Sequence, residues 1–169
     1  MNAYLIESKK EYIKSLCSLI TPQIFQGLKS IYRDACRLSK TPSNQLKTFQ
    51  KMLEDVPRWD VSIVREEYNR IVDTTRCKYI ETLIDAVVVC STKVLTAVNN
   101  GTQQSASKIN IEVPNGPEFI HNCYIIAART FWIQPHLFST DVIPTDYQNN
   151  LVLCQTRIDE AVEKAKKVQ

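Results

Sequence analysis

Apolar residues recur along this chain with the spacing of helices almost from end to end. Leu5, Ile6, Tyr12, Ile13, Leu16 and Ile20 fall three and four apart, predicting a first amphipathic helix over about Ala3 to Leu19. Thr21-Pro22 supplies a capping hydroxyl followed by a proline suited to a first helical position, so a second helix is expected to start there. Its stripe is Ile24, Leu28, Ile31, Ala35 and Leu38, and Ser39 to Pro42 ends it. Ser43 is the expected cap of a shorter third helix with Leu46, Phe49 and Leu53, which stops before Pro57.

Asp60 is the expected N-cap of a fourth helix bearing Val61, Val64, Tyr68, Ile71 and Val72. A fifth runs through Tyr79, Ile80, Leu83, Ile84, Val87, Val88, Val94, Leu95 and Val98. Within it, Ala86 to Cys90 is apolar on every side, the pattern of a central bundle helix. Asn99-Asn100-Gly101 ends the run, and Thr102 to Ser107 reads as an exposed polar loop. Lys108-Ile109-Asn110-Ile111-Glu112-Val113 alternates strictly and predicts a minor strand or an extended arm. Pro117-Glu118 begins another helix, with Ile120, Tyr124, Ala127, Ala128 and Phe131 on its apolar face. After a proline-bearing connection from Pro135 to Thr145, Asp146 leads into a final helix with Leu151, Leu153, Cys154, Ile158, Ala161 and Val162.

These elements predict an all-α bundle of about seven helices with one long exposed loop and at most a minor β element. The expected division is a helical core over 1–98, a loop and extended arm over 99–117, and C-terminal helices over 118–169 packing back on the core. Three glycines in 169 residues is about a quarter of the usual frequency, which disfavours turn-rich barrels and sandwiches. Apolar residues at 44% and charged residues at 23% exclude a disordered chain, and no apolar run is long enough to cross a bilayer. The N-terminal residues, Met1 to Lys10, lack the pattern of a secretion signal, so retention inside a cell is expected.

Charge changes the picture more through distribution than through its total of +3. Thr21 to Leu53 carries Lys29, Arg33, Arg37, Lys40, Lys47 and Lys51 against Asp34 alone, whereas Glu54 to Asp73 is rich in acids. Lys29, Arg33, Arg37 and Lys40 stand at i, i+4, i+8 and i+11, which places them on one helix face. Such a row can meet an acidic protein surface, bind phosphates, or lie solvated and partly paired with the acidic fourth helix. No aromatic platform is interleaved on that face, which weakens the case for single-stranded nucleic acid. Trp59, at a helix junction, reads as a plug between helices. Phe131-Trp132-Ile133 and Leu137-Phe138 gather apolar groups where a helix ends, and they form an anchoring patch if folding leaves them exposed.

Candidate chemistry adds little. The six cysteines, at positions 17, 36, 77, 90, 123 and 154, match no zinc-site spacing and read as reduced core thiols. His121 and Cys123 are two apart and point to different helix faces, and His136 has no acidic neighbour in sequence. G-x-S-x-G, P-loop, G-x-G-x-x-G and H-E-x-x-H motifs are absent, so neither a cofactor nor catalysis is expected. A hydrolytic role for a cysteine would require a thiol with a lowered pKa.

Two groups of segments carry a family likeness. The first is Leu46-Lys47-Thr48-Phe49-Gln50-Lys51-Met52-Leu53-Glu54-Asp55-Val56-Pro57-Arg58-Trp59, with Ile80 to Val87 and Thr92 to Leu95. The second is Val113-Pro114, Phe119 to Tyr124, Ala128-Arg129 and Pro135 to Phe138. Together they resemble an uncharacterised helical protein family encoded by large nucleocytoplasmic DNA viruses. The resemblance implies a virion structural protein, assembled in the host cytoplasm, such as a minor capsid component beneath the major capsid lattice. Its implied partners are other capsid proteins, major and minor, and a second copy of itself, with nucleic acid as the alternative. The candidate contact residues are therefore Lys29, Arg33, Arg37, Lys40, Phe131, Trp132, Leu137 and Phe138, with Lys108, Ile109, Ile111 and Val113 of the arm.

Overall fold

The structure, a computed structural model, describes residues 2–99 and 113–166. Six α-helices account for nearly all of it, and no strand occurs among the described residues. The first, α1 (Asn2–Leu38), merges the two helices expected on either side of Pro22. Proline in a helix interior removes one hydrogen bond and costs about 3 kcal/mol. Here the apolar row crosses that point without a change of phase: Leu16, Ile20, Ile24, Leu28 and Tyr32 stand four apart and are all buried. Continuous packing outweighs the local penalty, and Pro22 faces outward. Thr21 caps nothing; it is buried, and its hydroxyl donates to Asp159 Oδ1 at 2.5 Å.

A row at strict fours drifts by about 40° per step around a helix of 3.6 residues per turn. The buried stripe of α1 therefore winds around its axis, which lets one long helix touch α2 (Pro42–Asp55), α3 (Val61–Thr75), α4 (Ile80–Asn99) and α6 (Pro144–Ala165). Thr41, not Ser43, caps α2, accepting from the backbone N–H of Asn44 at 3.3 Å. A 3-10 turn at Val56–Arg58 follows. Asp60 caps α3 as expected, accepting from the Ile63 N–H at 2.9 Å. Before α5 (Gly116–Ile133), Asn115 and Glu118 form a reciprocal capping box. A second 3-10 turn, Pro135–Phe138, separates α5 from α6.

The central helix is α5 and not α4. On α5, Phe119, Ile120, Cys123, Tyr124, Ala127, Ala128 and Phe131 are all buried, an arc of about half its circumference. The α4 residues Ile80, Leu83, Ile84, Val87 and Val88 make one buried face, while Val89 and Cys90 are half-buried. Helices from both ends of the chain share one apolar core, so 118–166 completes the body that 2–98 begins. The strand-like segment Lys108 to Glu112, with Ile109 and Ile111, lies outside the described residues, as does the loop at 100–107. Val113 is half-buried against the core without strand pairing.

Candidate functional site: a basic-rimmed groove

Two features that sequence kept apart, the α1 cations and Leu137-Phe138, come together in space. Lys29, Arg33 and Arg37 line a groove of about 300 Å³ whose apolar lining includes Phe25, Tyr32, Leu137 and Phe138. Tyr147 and Leu151, at i and i+4 on α6, make the opposite wall, and Thr140 stands at its lip. Lys40 is not part of it. The helix ends at Leu38, so Lys40 sits in the bend before α2 and off the face its spacing predicts.

Phe138 is the centre of the floor. Its ring meets Phe131 at 4.8 Å and Phe49 at 5.1 Å, both edge-on, and stacks against Phe25 at 5.7 Å. Tyr32 closes the cluster, 5.3 Å from Phe49. Burial pushes the Tyr32 hydroxyl above its ordinary pKa, and Cys36 beside it adds to the rise. The 3-10 turn opened by Pro135 folds the chain back onto α1 and drives Leu137 and Phe138 inward. Phe131, Leu137 and Phe138 are consequently core residues, 0%, 5% and 5% exposed, and not the exposed anchors that their clustering suggested.

The cations stay on the rim. The Lys29 ammonium lies 6.0 Å from the centre of the Phe25 ring, four residues earlier, so an aromatic group does adjoin the basic row. Neither Lys29 nor Arg33 has a carboxylate within 4 Å among the described residues. Arg37 pairs with Asp34 at 3.3 Å, an exposed contact worth little in water. The acidic α3 does not neutralise this row. Its Glu67 is engaged by Arg70 at 3.0 Å and by the Tyr124 hydroxyl at 2.6 Å, and Arg70 in turn donates to the Gln23 carbonyl of α1 at 2.8 Å. This network ties α3 and α5 to the face of α1 next to Gly27.

Trp132 and Ile133 are the apolar residues of the second cluster that remain exposed, at 44% and 74%. They border a cleft of about 360 Å³ with Leu53, Pro57 and Ala128. The indole N–H donates to Glu54 at 3.0 Å and Gln50 donates to the Trp132 carbonyl at 2.7 Å, so the ring is fixed from α2. Trp59 plugs a junction, stacked on His121 at 6.0 Å and tilted on Tyr124 at 5.1 Å. His121 is held by the Val56 carbonyl at 2.8 Å. All six cysteines are free thiols. Burial pushes Cys17 and Cys154 up to about 12 and Cys123 well upward, the direction opposite to that of an activated nucleophile.

Sequence reasoning missed Phe25, Tyr32, Tyr147 and Leu151 as groove residues. Phe25 and Lys29 do carry a signal, an aromatic–cation pair at i, i+4, but the wall from α6 is set by tertiary packing alone.

The sequence pattern of one protein family matches residues 2–139. The chain belongs to DUF5764, a family of unknown function. That match takes in α1 to the second 3-10 turn, and so the cations and the aromatic floor, while α6 lies beyond it. No curated protein and no solved structure matches the chain. No helix among the described residues is long and apolar enough to cross a membrane.

Proposed function

We propose that this protein is a non-enzymatic structural protein of a large DNA virus, a minor capsid component that binds other capsid proteins and stabilises the shell. The observation that supports this reading is the groove on α1, where three cations rim an apolar floor and two of them, Lys29 and Arg33, have no carboxylate partner among the described residues. Groups so arranged suit an anionic protein surface with an apolar centre. The viral setting rests on the family resemblance. Major and minor capsid proteins are the partners, and a second copy of the chain is a further neighbour. Contacts of this size are weak singly, but a lattice that fixes its neighbours raises their effective concentration. The protein is then carried in the virion after assembly in the host cytoplasm.

Quantitative mass spectrometry of purified particles tests the reading. A fixed copy number per major capsid protein is expected, whereas abundance in infected cells with absence from particles would reject it. A second reading, nucleic-acid binding, is favoured by three cations on one exposed helix face. Three phosphate contacts predict a log–log salt slope of about −3 for DNA affinity, and a flat response removes that reading.

A further inference from the structure

We infer that the groove between α1, the Pro135–Phe138 turn and α6 seats an amphipathic helix of a partner protein, with acidic residues along one edge of that helix. The inference rests on the reading above and names the partner's chemistry. Charge complementarity carries it. Lys29, Arg33 and Arg37 line one side of the groove, and no carboxylate among the described residues lies within 4 Å of the first two. The Arg37–Asp34 contact is exposed, so an incoming carboxylate can replace it at little cost.

Spacing selects the form of the partner. Four residues of helix rise about 6 Å, so the three cations repeat at about 6 Å over about 12 Å. Carboxylates at i, i+4 and i+8 of a second helix repeat at the same interval and drift by the same angle per step, so two helices that cross at about −50°, with these rows laid along one another, keep the pairs in register. An extended peptide offers a similar side-chain repeat but needs partners for its own N–H and C=O groups. The long walls of this groove are helices whose backbone groups are already bonded within α1 and α6. A helix carries its backbone bonds with it. The floor then decides what lies between the charges: about 300 Å³ lined by Phe25, Tyr32, Phe138 and Leu151 accepts aliphatic side chains. The aromatic rings of that floor pack against one another, Phe25 on Phe138 and both Phe138 and Tyr32 on Phe49.

Fluorescence anisotropy with the full chain tests the inference. The probe is a labelled 14-residue helical peptide with Glu at every fourth position and Leu three positions after each Glu. Binding in the micromolar range is expected, weakened at least tenfold when Gln replaces Glu, and likewise when Ala replaces Leu. An Arg33→Glu, Arg37→Glu variant should lose the Glu peptide at least tenfold and gain a peptide with Lys in place of Glu. That exchange separates a charge contact from misfolding, and Trp132→Ala should leave binding unchanged. No binding of the Glu peptide, or equal binding of the Gln peptide, overturns the inference. Tighter binding of a single-stranded DNA 12-mer also overturns it and assigns the cations to phosphates. Failure of the peptide with the chain still present in particles removes the groove partner and leaves the structural reading intact.

Discussion

Replacing Gly27 by alanine sets two effects of opposite sign against each other. In an unobstructed helix the change is stabilising by about 1 kcal/mol, because glycine loses more backbone entropy on folding. At this position the new Cβ would lie 1.9 Å from the Tyr124 hydroxyl oxygen and 2.9 Å from Cζ. Tyr124 is fully buried between Trp59, 5.1 Å away, and Glu67, 2.6 Å from its hydroxyl. The ring must move by more than about 1 Å. That movement breaks a hydrogen bond to a charged group, worth about 1.5–3 kcal/mol, and overpacks the site at about 1–3 kcal/mol. The net expectation is a loss of about 2–4 kcal/mol, or about 4–16 °C in Tm for a domain of this size. Circular-dichroism melts and urea titrations of Gly27→Ala measure it. Adding Tyr124→Phe should recover part of the loss, since the closest contact then disappears. A Gly27→Ala protein as stable as the parent, or more so, would refute the packing of α5 against α1 described above.

Other perturbations have equally definite outcomes. Burial acts to raise the Glu67 pKa, but hydrogen bonds from Arg70 and Tyr124 outweigh it and hold the carboxyl below its ordinary value of 4.5. A depressed folded-state pKa contributes stability that is present above the unfolded pKa and is lost as pH falls through the folded one. Glu67→Gln should therefore be less stable than the parent at pH 7, with the gap narrowing below about pH 4.5 in acid titrations; a constant gap contradicts the assignment. Phe138→Ala removes the ring shared by four aromatic neighbours and should cost about 3–5 kcal/mol, read by chemical denaturation, whereas a loss below about 1 kcal/mol would mean that the cluster is loosely packed. Cys123 and Cys154 are buried with raised thiol pKa values, so both should resist a thiol reagent at pH 8 until the chain unfolds, and rapid native-state labelling at either would contradict their burial.

The helices were legible because apolar spacing is a local signal. Asp60 caps α3 as its chemistry predicts, and α5 starts at Gly116, one residue before the expected Pro117. Pro22 misleads for a physical reason: threonine followed by proline is a sound helix start, and only the unbroken row from Leu16 to Tyr32 shows that packing overrides it. The run Ala86 to Cys90 misleads similarly: apolar on every side, it reads as the central helix, yet α4 presents one face to the core while the less conspicuous α5 buries the wider one. Of the candidate site, the cations on α1 were readable from i, i+4 spacing. That Phe138 would turn inward was not, because its burial depends on the 3-10 turn meeting Phe49 and Phe25 from distant segments. The absence of α3 from the groove was equally hidden, since it took the structure to show Glu67 engaged by Arg70 and Tyr124 instead.

The central claim is that the basic-rimmed groove on α1 holds the protein against an acidic neighbour in the particle. Virus produced in cells supplying only an Arg33→Glu, Arg37→Glu form of the chain tests it most directly, with the variant's melting curve as a check on folding. The expected result is a normally folded variant whose copy number in purified particles falls at least tenfold. Incorporation at the parental level would contradict the claim.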